Sequence, residues 1–297
     1  MNLVVDLGQS GARIKIGDQI TALNIPKTAA FTVLETLERI FKEVPSQDFE
    51  TVYLSLTGLY GIVTEEQAIG ELCNKFFNAK HVAVLDDGIA AFVGALGEQS
   101  GVVLTIGGGV VAISSHAGKF GHADGKGLIF GDLGGGFWVG QTAMRRAIAT
   151  LDSRDNATDL VEILQSELIA HEKLVIKNGA DAATLCINAA KTVIVGAEAG
   201  STSAIEILTT GADYLGKTVH GVWQKVSTAD AGTPTVCIMG GPTRNQTYVD
   251  LIKRSVNSHL ECNFTTAKSD HLVGAPLTAQ LYPAGVDPLF KWWHSSN

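Results

Sequence analysis

Cysteine is scarce and scattered. The four present are Cys73, Cys186, Cys237 and Cys262, and the nearest two, Cys237 and Cys262, lie 25 residues apart. No Cys-x-x-Cys, zinc-ribbon or iron–sulfur spacing exists, so each reads as a small buried hydrophobe in a reducing compartment. Long apolar runs are missing too. No stretch of 18 apolar residues occurs, and the nearest, Gly101 to Ser115, is cut by three consecutive glycines. The N-terminal MNLVVDLGQSG has no basic region and too short an apolar run for a signal peptide. The expectation is a soluble, cytoplasmic protein with no membrane partner. Positive charge is also in deficit: 22 Lys+Arg stand against 30 Asp+Glu, a net charge of −8. Such a surface does not attract phosphate backbones, which argues against nucleic acid as a partner. Aromatics make up only 7%, so the glycine surplus is neither collagen-like nor prion-like.

What is present points to a folded enzyme-sized chain. The 297 residues are 45% apolar and 18% charged, which excludes disorder for the bulk and allows a large core in about two domains. Glycine is the outlier, with 33 residues gathered in clusters.

The chain reads as α/β. Leu3–Leu7, Ala12–Ile16 and Gln19–Ile25 are predicted strands. Thr28 to Glu43 carries Phe31, Leu34, Leu37, Ile40 and Phe41 at helical spacing before Pro45 stops it. Val52–Leu56 is a strand, and Thr64-Glu65-Glu66-Gln67 is a capping-box pattern opening a helix to about Asn78. His81–Leu85 is a strand and Gly88–Leu96 a helix. This β-β-β-α-β-α-β-α order then begins again. Val102–Ile106 and Val110–Ser114 are strands, with a short third at Lys119–Phe120. Phe137–Leu151 is helical, and a mostly helical region spans Ala157 to Val226. Thr235–Met239 is a strand, Asn245–Val256 a helix, Cys262–Thr265 a strand and Leu272–Leu281 a helix. A duplicated unit and a generic doubly wound sheet both fit this order. Glycine placement favours duplication, because both halves open strand, glycine turn, strand. A dinucleotide-binding unit opens strand, glycine turn, helix.

Five motifs carry chemistry. In Asp6-Leu7-Gly8-Gln9-Ser10-Gly11, a glycine-flanked hairpin tip lets a phosphate approach backbone N–H groups, because no Cβ intervenes. Gln9 and Ser10 add side-chain donors, and Asp6 can hold Mg²⁺ through water. A plain hairpin turn is the ordinary alternative. Gly107-Gly108-Gly109 is the equivalent turn of the second half. Asp86-Asp87-Gly88 follows a strand and precedes a helix, at the end of the sheet where α/β proteins bind ligands. One carboxylate there can cap the helix while the other takes the proton of an attacking hydroxyl. Gly121 to Gly140 holds eight glycines in 20 residues. It reads as an ordered loop closing over a polar ligand and ending in a helix N-terminus that can serve an anion. Asp132 is its candidate acceptor for sugar hydroxyls, and Trp138 reads as core. Gly240-Gly241, between a strand and a helix, can pack against a purine; a turn with no ligand is an equal reading.

DLGQSGARI, DDGIAAFVGAL, GVVLTIGGG, ADGKGLIFGDLGGGFWVG and CIMGGPTRN, in that order, resemble the N-acetylglucosamine/glucosamine kinases. These belong to the BadF/BadG-type ATPases of the actin–hexokinase–Hsp70 superfamily. The resemblance covers nearly the whole chain. It implies two ribonuclease-H-like domains, 1–98 and 99–270. A C-terminal helix of about 271–297 would pack back on the first, and a helical insertion of about 152–230 would lie in the second. It also implies MgATP and an amino sugar between the two domains, with the two glycine turns on the phosphates. By this resemblance Asp87 is the base. Gly8, Gln9, Ser10, Gly11, Gly107, Gly108, Gly109, Gly240 and Gly241 bind ATP. Thr57, Asp87 and Asp132 meet the substrate, and Asp6 meets Mg²⁺. The second phosphate motif departs from the family's Gly-Thr-Gly-Ser: Gly108, Val110 and Val111 offer no hydroxyl or amide. Leu133 replaces a Glu and Gly135 a Ser.

Three readings follow. The first is an ATP-dependent hexosamine kinase acting at the 6-hydroxyl. The second is a non-catalytic sugar or nucleotide sensor. The third is an ATPase activating a radical dehydratase, ranked last because no cysteine sits where a cluster-bridging one is needed. Of the eight histidines only His122 lies in a motif, where an ordinary loop role is the simpler reading. Trp292-Trp293 reads as packing or as a contact in a homodimer.

Overall fold

The computed structural model describes residues 1–9, 11–27, 30–174 and 179–295. In chain order the first elements are β1 (Asn2–Leu7), β2 (Ala12–Ile16), β3 (Gln19–Leu23), α1 (Val33–Phe41), β4 (Thr51–Leu56), α2 (Glu66–Phe77), β5 (His81–Asp86) and α3 (Asp87–Leu96). Then follow β6 (Gly101–Ile106), β7 (Val110–His116), β8 (Lys119–Asp124), α4 (Gly136–Leu151), α5 (Thr158–Ile163), α6 (Gln165–Leu174), α7 (Gly179–Glu198) and α8 (Thr202–Gln224). The chain ends with β9 (Thr235–Met239), α9 (Gln246–His259), β10 (Asn263–Thr265), α10 (His271–Leu281) and β11 (Phe290–His294). Two compact units result. Residues 1–103, 117–120 and 266–297 form the first, and residues 104–116 and 121–265 the second.

The first unit is built on a six-stranded sheet in the order β11-β5-β4-β1-β2-β3. Strands β1, β4 and β5 run parallel, with β2 antiparallel to β1 and β11 antiparallel to β5. Period-two alternation sends Leu3, Val5, Leu7, Val52, Leu54, Leu56, Val82 and Val84 to one face. There they join Leu37, Ile40 and Phe41 of α1 and Ile69, Cys73 and Phe77 of α2 in one buried core. Each such side chain contributes about 1.5–3 kcal/mol of apolar burial. Gly70 lets α2 lie flat on β11, because a Cβ there would enter the Trp293 ring. Helix α10 packs on α3, β1 and β4. The opposite face of the sheet carries Asp6, since residues of β1 alternate.

The second unit holds a five-stranded sheet, β10-β9-β6-β7-β8. Helices α5 to α8 fill the stretch between α4 and β9, with α4 packed on α7 and α8 on α9. Among the described residues, no single helix is long and apolar enough to cross a membrane.

The sequence reading and the structure differ at several element ends. Helix α1 begins at Val33, not Thr28, because Thr32 and Glu35 form a full capping box there; Thr28 lies outside the described residues. The capping box expected at Thr64 is not formed. Glu65 takes the cap position of α2 without a side-chain bond, which leaves the Thr64 hydroxyl one residue out of register. Strand β8 runs on to Asp124, four residues past the expected end. The expected C-terminal helix ends at Leu281, and strand β11 stands at Phe290–His294 in its place. Trp292 and Trp293, for which packing and a homodimer contact are both expected readings, lie in this edge strand on β5.

Candidate active site

Strands β1, β4 and β5 are parallel and in register, so Leu7, Leu56 and Asp86 end together at one edge of the first sheet. That carboxyl edge is where α/β sheets leave backbone groups open for a ligand. The Thr57 N–H donates to Leu7 O at 3.0 Å, joining the loop after β4 to the end of β1. The turn after β1 is closed by Gly8 N–H donating to Gly11 O at 2.9 Å. Gln9 is exposed beside it; Ser10 lies outside the described residues.

Asp86 and Asp87 divide the two tasks a carboxylate can do here. Asp86 is 2% exposed. Its Oδ1 accepts from Gly88 N–H at 3.0 Å, capping α3, and its Oδ2 accepts from Gly61 N–H at 2.9 Å. Those bonds fix Asp86 in a structural role, capping α3 and holding the backbone at Gly61. Asp87, the first residue of α3, is half-buried. Burial pushes its carboxyl well above the ordinary value of 3.8, and the charges of Asp86 and then Asp6 push the same way. A hydrogen bond from the Thr57 hydroxyl and one from Gly88 N–H act in the opposite sense. A carboxylate held this way is a stronger proton acceptor than an exposed aspartate.

Asp6 is placed by sheet register. Ser55, Asp6 and Arg13 are cross-strand partners on β4, β1 and β2. Asp6 Oδ2 accepts from Arg13 Nε at 3.1 Å and Nη2 at 2.6 Å, and Oδ1 accepts from Ser55 Oγ at 3.2 Å. Arg13 Nη1 donates to Asp270 Oδ2 at 2.6 Å. Asp270 Oδ1 accepts from Leu272 N–H at 3.1 Å, so the chain of bonds ends on the N-terminus of α10. Asp6 Oδ1 carries one hydrogen bond, from Ser55, and so keeps a lone pair that a metal's water could use. With Asp86 and Asp87 nearby, the donor set fits a hydrated Mg²⁺ arriving with a phosphate.

The loop from Thr57 to Gly61 lies over this edge. Gly58, Tyr60 and Gly61 all have positive φ, at 89°, 56° and 78°. Tyr60 is the unusual one, because the left-handed region disfavours a bulky side chain. It is held there by its neighbours' bonds to the acids: Thr57 to Asp87, and Gly61 to Asp86. The residue is 58% exposed. Lys27 joins the same region. Its N–H donates to Gly8 O at 3.0 Å, its amine donates to Phe31 O at 2.6 Å, and its side chain lies against Gly58. The sequence reading missed Arg13, Lys27, Tyr60 and Gly61. The register partnership of Asp6 and Arg13 and the Gly-Leu-Tyr-Gly pattern were the available signals.

In the second unit the structure brings two further predicted elements together. Gly107 follows Ile106 at the end of β6, and Gly240 (φ 108°) packs its Cα against the Ile106 carbonyl. The turn Gly107–Gly109 is closed by Gly107 N–H donating to Gly109 O at 2.8 Å. A Cβ on Gly107 or Gly241 would meet open space, so both present bare backbone.

Asp132 sits behind this turn. It is 3% exposed, has φ 60°, and its Oδ2 lies against Gly109 so closely that no Cβ fits there. Its Oδ1 has no hydrogen-bond partner. Burial raises its carboxyl, while the Val110 N–H lowers it. The Asp132 N–H donates to Asp124 Oδ1 at 2.9 Å, and Thr218 of α8 donates to Asp124 Oδ2 at 2.8 Å.

The density of glycine in 121–140 has a packing cause. Gly136 N–H and Phe137 N–H, in the first turn of α4, donate to Gly107 O at 2.8 Å and Gly108 O at 2.9 Å. A Cβ on Gly134, Gly135 or Gly136 would strike neighbouring backbone. The expected anion site at the N-terminus of α4 is corrected on this point: its leading N–H groups hold the turn.

The β-β-β-α-β-α-β-α order of the first unit recurs in the second with helices α5 to α8 added and the last helix, α10, packed in the first unit, which is consistent with a two-domain ribonuclease-H-like fold. Solved structures share it. A candidate N-acetylglucosamine kinase from Chromobacterium violaceum is 22% identical with a TM-score of 0.65, covering 93% of this chain and 97% of that one. A candidate N-acetylglucosamine kinase from Porphyromonas gingivalis is 12% identical with a TM-score of 0.67, at 95% and 98% coverage. A ROK family glucokinase from Streptomyces griseus, solved with glucose and AMPPNP, is 14% identical with a TM-score of 0.61, at 96% and 99%. No curated protein matches the chain. The model of the BadF/BadG/BcrA/BcrD ATPase family matches residues 8–279. The chain belongs to that family, and its chemistry is phosphoryl transfer from ATP.

Proposed function

We propose that this protein is an ATP-dependent sugar kinase whose acceptor is a hexosamine, N-acetylglucosamine or glucosamine, phosphorylated at the 6-hydroxyl. The observation that carries the reading is the division of labour at β5. Asp86 is tied to two backbone N–H groups, while Asp87 is half-buried, raised in proton affinity and oriented by Thr57. In the reaction Asp87 takes the proton of the sugar hydroxyl as its oxygen bonds to the γ-phosphorus of ATP. The bond from that phosphorus to the β–γ bridging oxygen breaks, and ADP leaves. Thr57 keeps the carboxylate turned toward the acceptor. The turns at Gly8–Gly11 and Gly107–Gly109 supply phosphate contacts, and Gly240-Gly241 supplies a flat seat for the adenine. Mg²⁺ enters with ATP and offsets phosphate charge. Asp132 Oδ1, buried and unpartnered, supplies an acceptor for a sugar hydroxyl. The names of the structural neighbours, sugar kinases in each case given above, support the substrate class.

A release-of-ADP screen with N-acetylglucosamine, glucosamine, glucose and N-acetylmuramic acid tests this. Turnover is expected with a hexosamine above the no-sugar rate. Turnover only with glucose would refute the hexosamine assignment, and turnover only with N-acetylmuramic acid would refute N-acetylglucosamine or glucosamine as the acceptor. A second reading, a sugar sensor without catalysis, is favoured by the bare second turn, where Gly108, Val110 and Val111 bring no side-chain donor. Thermal stabilisation by a sugar with no ADP release from any of the four would establish it instead.

A further inference from the structure

At the far edge of the first sheet from the carboxylates, two histidines face each other. His294 of β11 is the register partner of His81 on β5. The next pair along is hydrogen-bonded, with Ser295 N–H donating to Lys80 O at 2.9 Å. In an antiparallel ladder the bonded and non-bonded pairs alternate. His81 and His294 therefore occupy a non-hydrogen-bonded pair, where Cα atoms approach to about 4.5 Å and side chains are closest. Their Nδ1 atoms are 2.9 Å apart, with ring centroids at 5.1 Å and planes at 74°.

We infer that His81 and His294 form a bidentate seat for a late first-row divalent cation, of the Cu²⁺, Ni²⁺ or Zn²⁺ kind. Two imidazole nitrogens bound to one such ion at about 2.0–2.1 Å, at an angle near the right angle or tetrahedral value, lie roughly 2.9–3.4 Å apart. The observed separation already falls at the lower edge of that span, so both rings need only small rotations. Without an ion, one Nδ1–H donates to the other Nδ1. On binding, that proton moves to the Nε2 of its own ring, and both Nδ1 lone pairs turn to the metal. Imidazole selects Cu²⁺, Ni²⁺ and Zn²⁺ over the oxygen-seeking Mg²⁺ and Ca²⁺, and Cu²⁺ binds most tightly in that series.

The site is open. His294 is exposed and His81 half-exposed. Among the described residues no cluster of three or more His, Cys, Asp or Glu is placed to hold a metal, so water fills the other positions. The consequence for the fold is a clip. The ion joins β5, whose far end carries Asp86 and Asp87, to an edge strand 213 residues away in sequence. An ion that binds only when the two strands are paired stabilises the fold by mass action. Trp292 stacks on His294, with centroids at 5.6 Å and planes at 16°, and so reports the site directly.

The test uses the full untagged chain and does not depend on sugar or ATP. Tryptophan fluorescence is titrated with CuCl₂, and thermal unfolding is followed with NiCl₂ and ZnCl₂. Expected are saturable quenching at one Cu²⁺ per chain in the micromolar range and a rise in Tm with Ni²⁺ or Zn²⁺. MgCl₂ should produce neither. His294→Ala and His81→Ala should each weaken Cu²⁺ binding tenfold or more. His294→Asn, which keeps a polar side chain on the solvent-facing strand, guards against loss of the strand itself. Saturable binding unchanged in all three variants, or no binding below millimolar metal, would overturn the inference.

Discussion

Arg13 places two donors on a single oxygen of Asp6, Nε at 3.1 Å and Nη2 at 2.6 Å. Asp6 is one of the charges that raise the proton affinity of Asp87. Arg13 is therefore a positioning residue for the base, at one remove. Arg13→Met leaves the Asp6 charge uncompensated, which pushes Asp87 up further. The acid limb of the kcat/KM profile should move to higher pH, with a stability loss of about 1–2 kcal/mol. A limb that stays in place would show that Asp6 and Asp87 are not coupled.

Asp87 also makes a stability prediction. Its folded-state pKa is raised above the ordinary 3.8. Such a group favours folding when protonated and loses that contribution as pH rises through the folded value. At pH 7 the charged form is a cost. Asp87→Asn should therefore melt above wild type at neutral pH, and the difference should shrink as the wild-type carboxyl protonates toward acid. A lower melting point for the variant at pH 7 would contradict the assigned sign.

Tyr60 offers an exposed ring on a loop anchored to both acids. A sugar's apolar face stacks on such a ring. Tyr60→Ala should raise the KM for sugar about tenfold, on the order of 1 kcal/mol, with the KM for ATP and kcat nearly unchanged. Tyr60→Phe should behave as wild type. Equal sugar KM values in the Ala and wild-type proteins would remove Tyr60 from the acceptor site.

Two glycines make steric predictions. Gly70→Ala drives a methyl group into Trp293 and should cost about 1–3 kcal/mol in denaturant unfolding. Gly109→Ala drives one into the Asp132 carboxylate. That change should abolish stabilisation by ATP while leaving far-UV circular dichroism intact. Unaltered ATP stabilisation would show that the second turn does not meet the nucleotide.

The fold was legible because its signals are local. Alternation in Ala12–Ile16 marked a strand after a glycine turn, and the same order recurred from Val102. The paired acids at 86–87 announced a cap and a free carboxylate, and the structure assigns the cap to Asp86. What stayed hidden depends on register and long-range packing. Nothing local ties Arg13 to Asp270, 257 residues away. The glycines at 134–136 suggested ligand approach, but they permit contact with the turn at 107–108 and with α8. Strand β11 follows Pro283, Gly285 and Pro288 but is only five residues long, and it forms because β5 offers it an edge.

The most direct test is single-turnover phosphoryl transfer to the best sugar of the screen by Asp87→Asn. Removing a positioned base should slow the step by about 10²–10⁴-fold, with sugar and ATP still binding and Thr57→Ala giving a smaller loss. A variant that transfers the phosphoryl group at near wild-type rate would contradict the assignment of Asp87 as the proton acceptor.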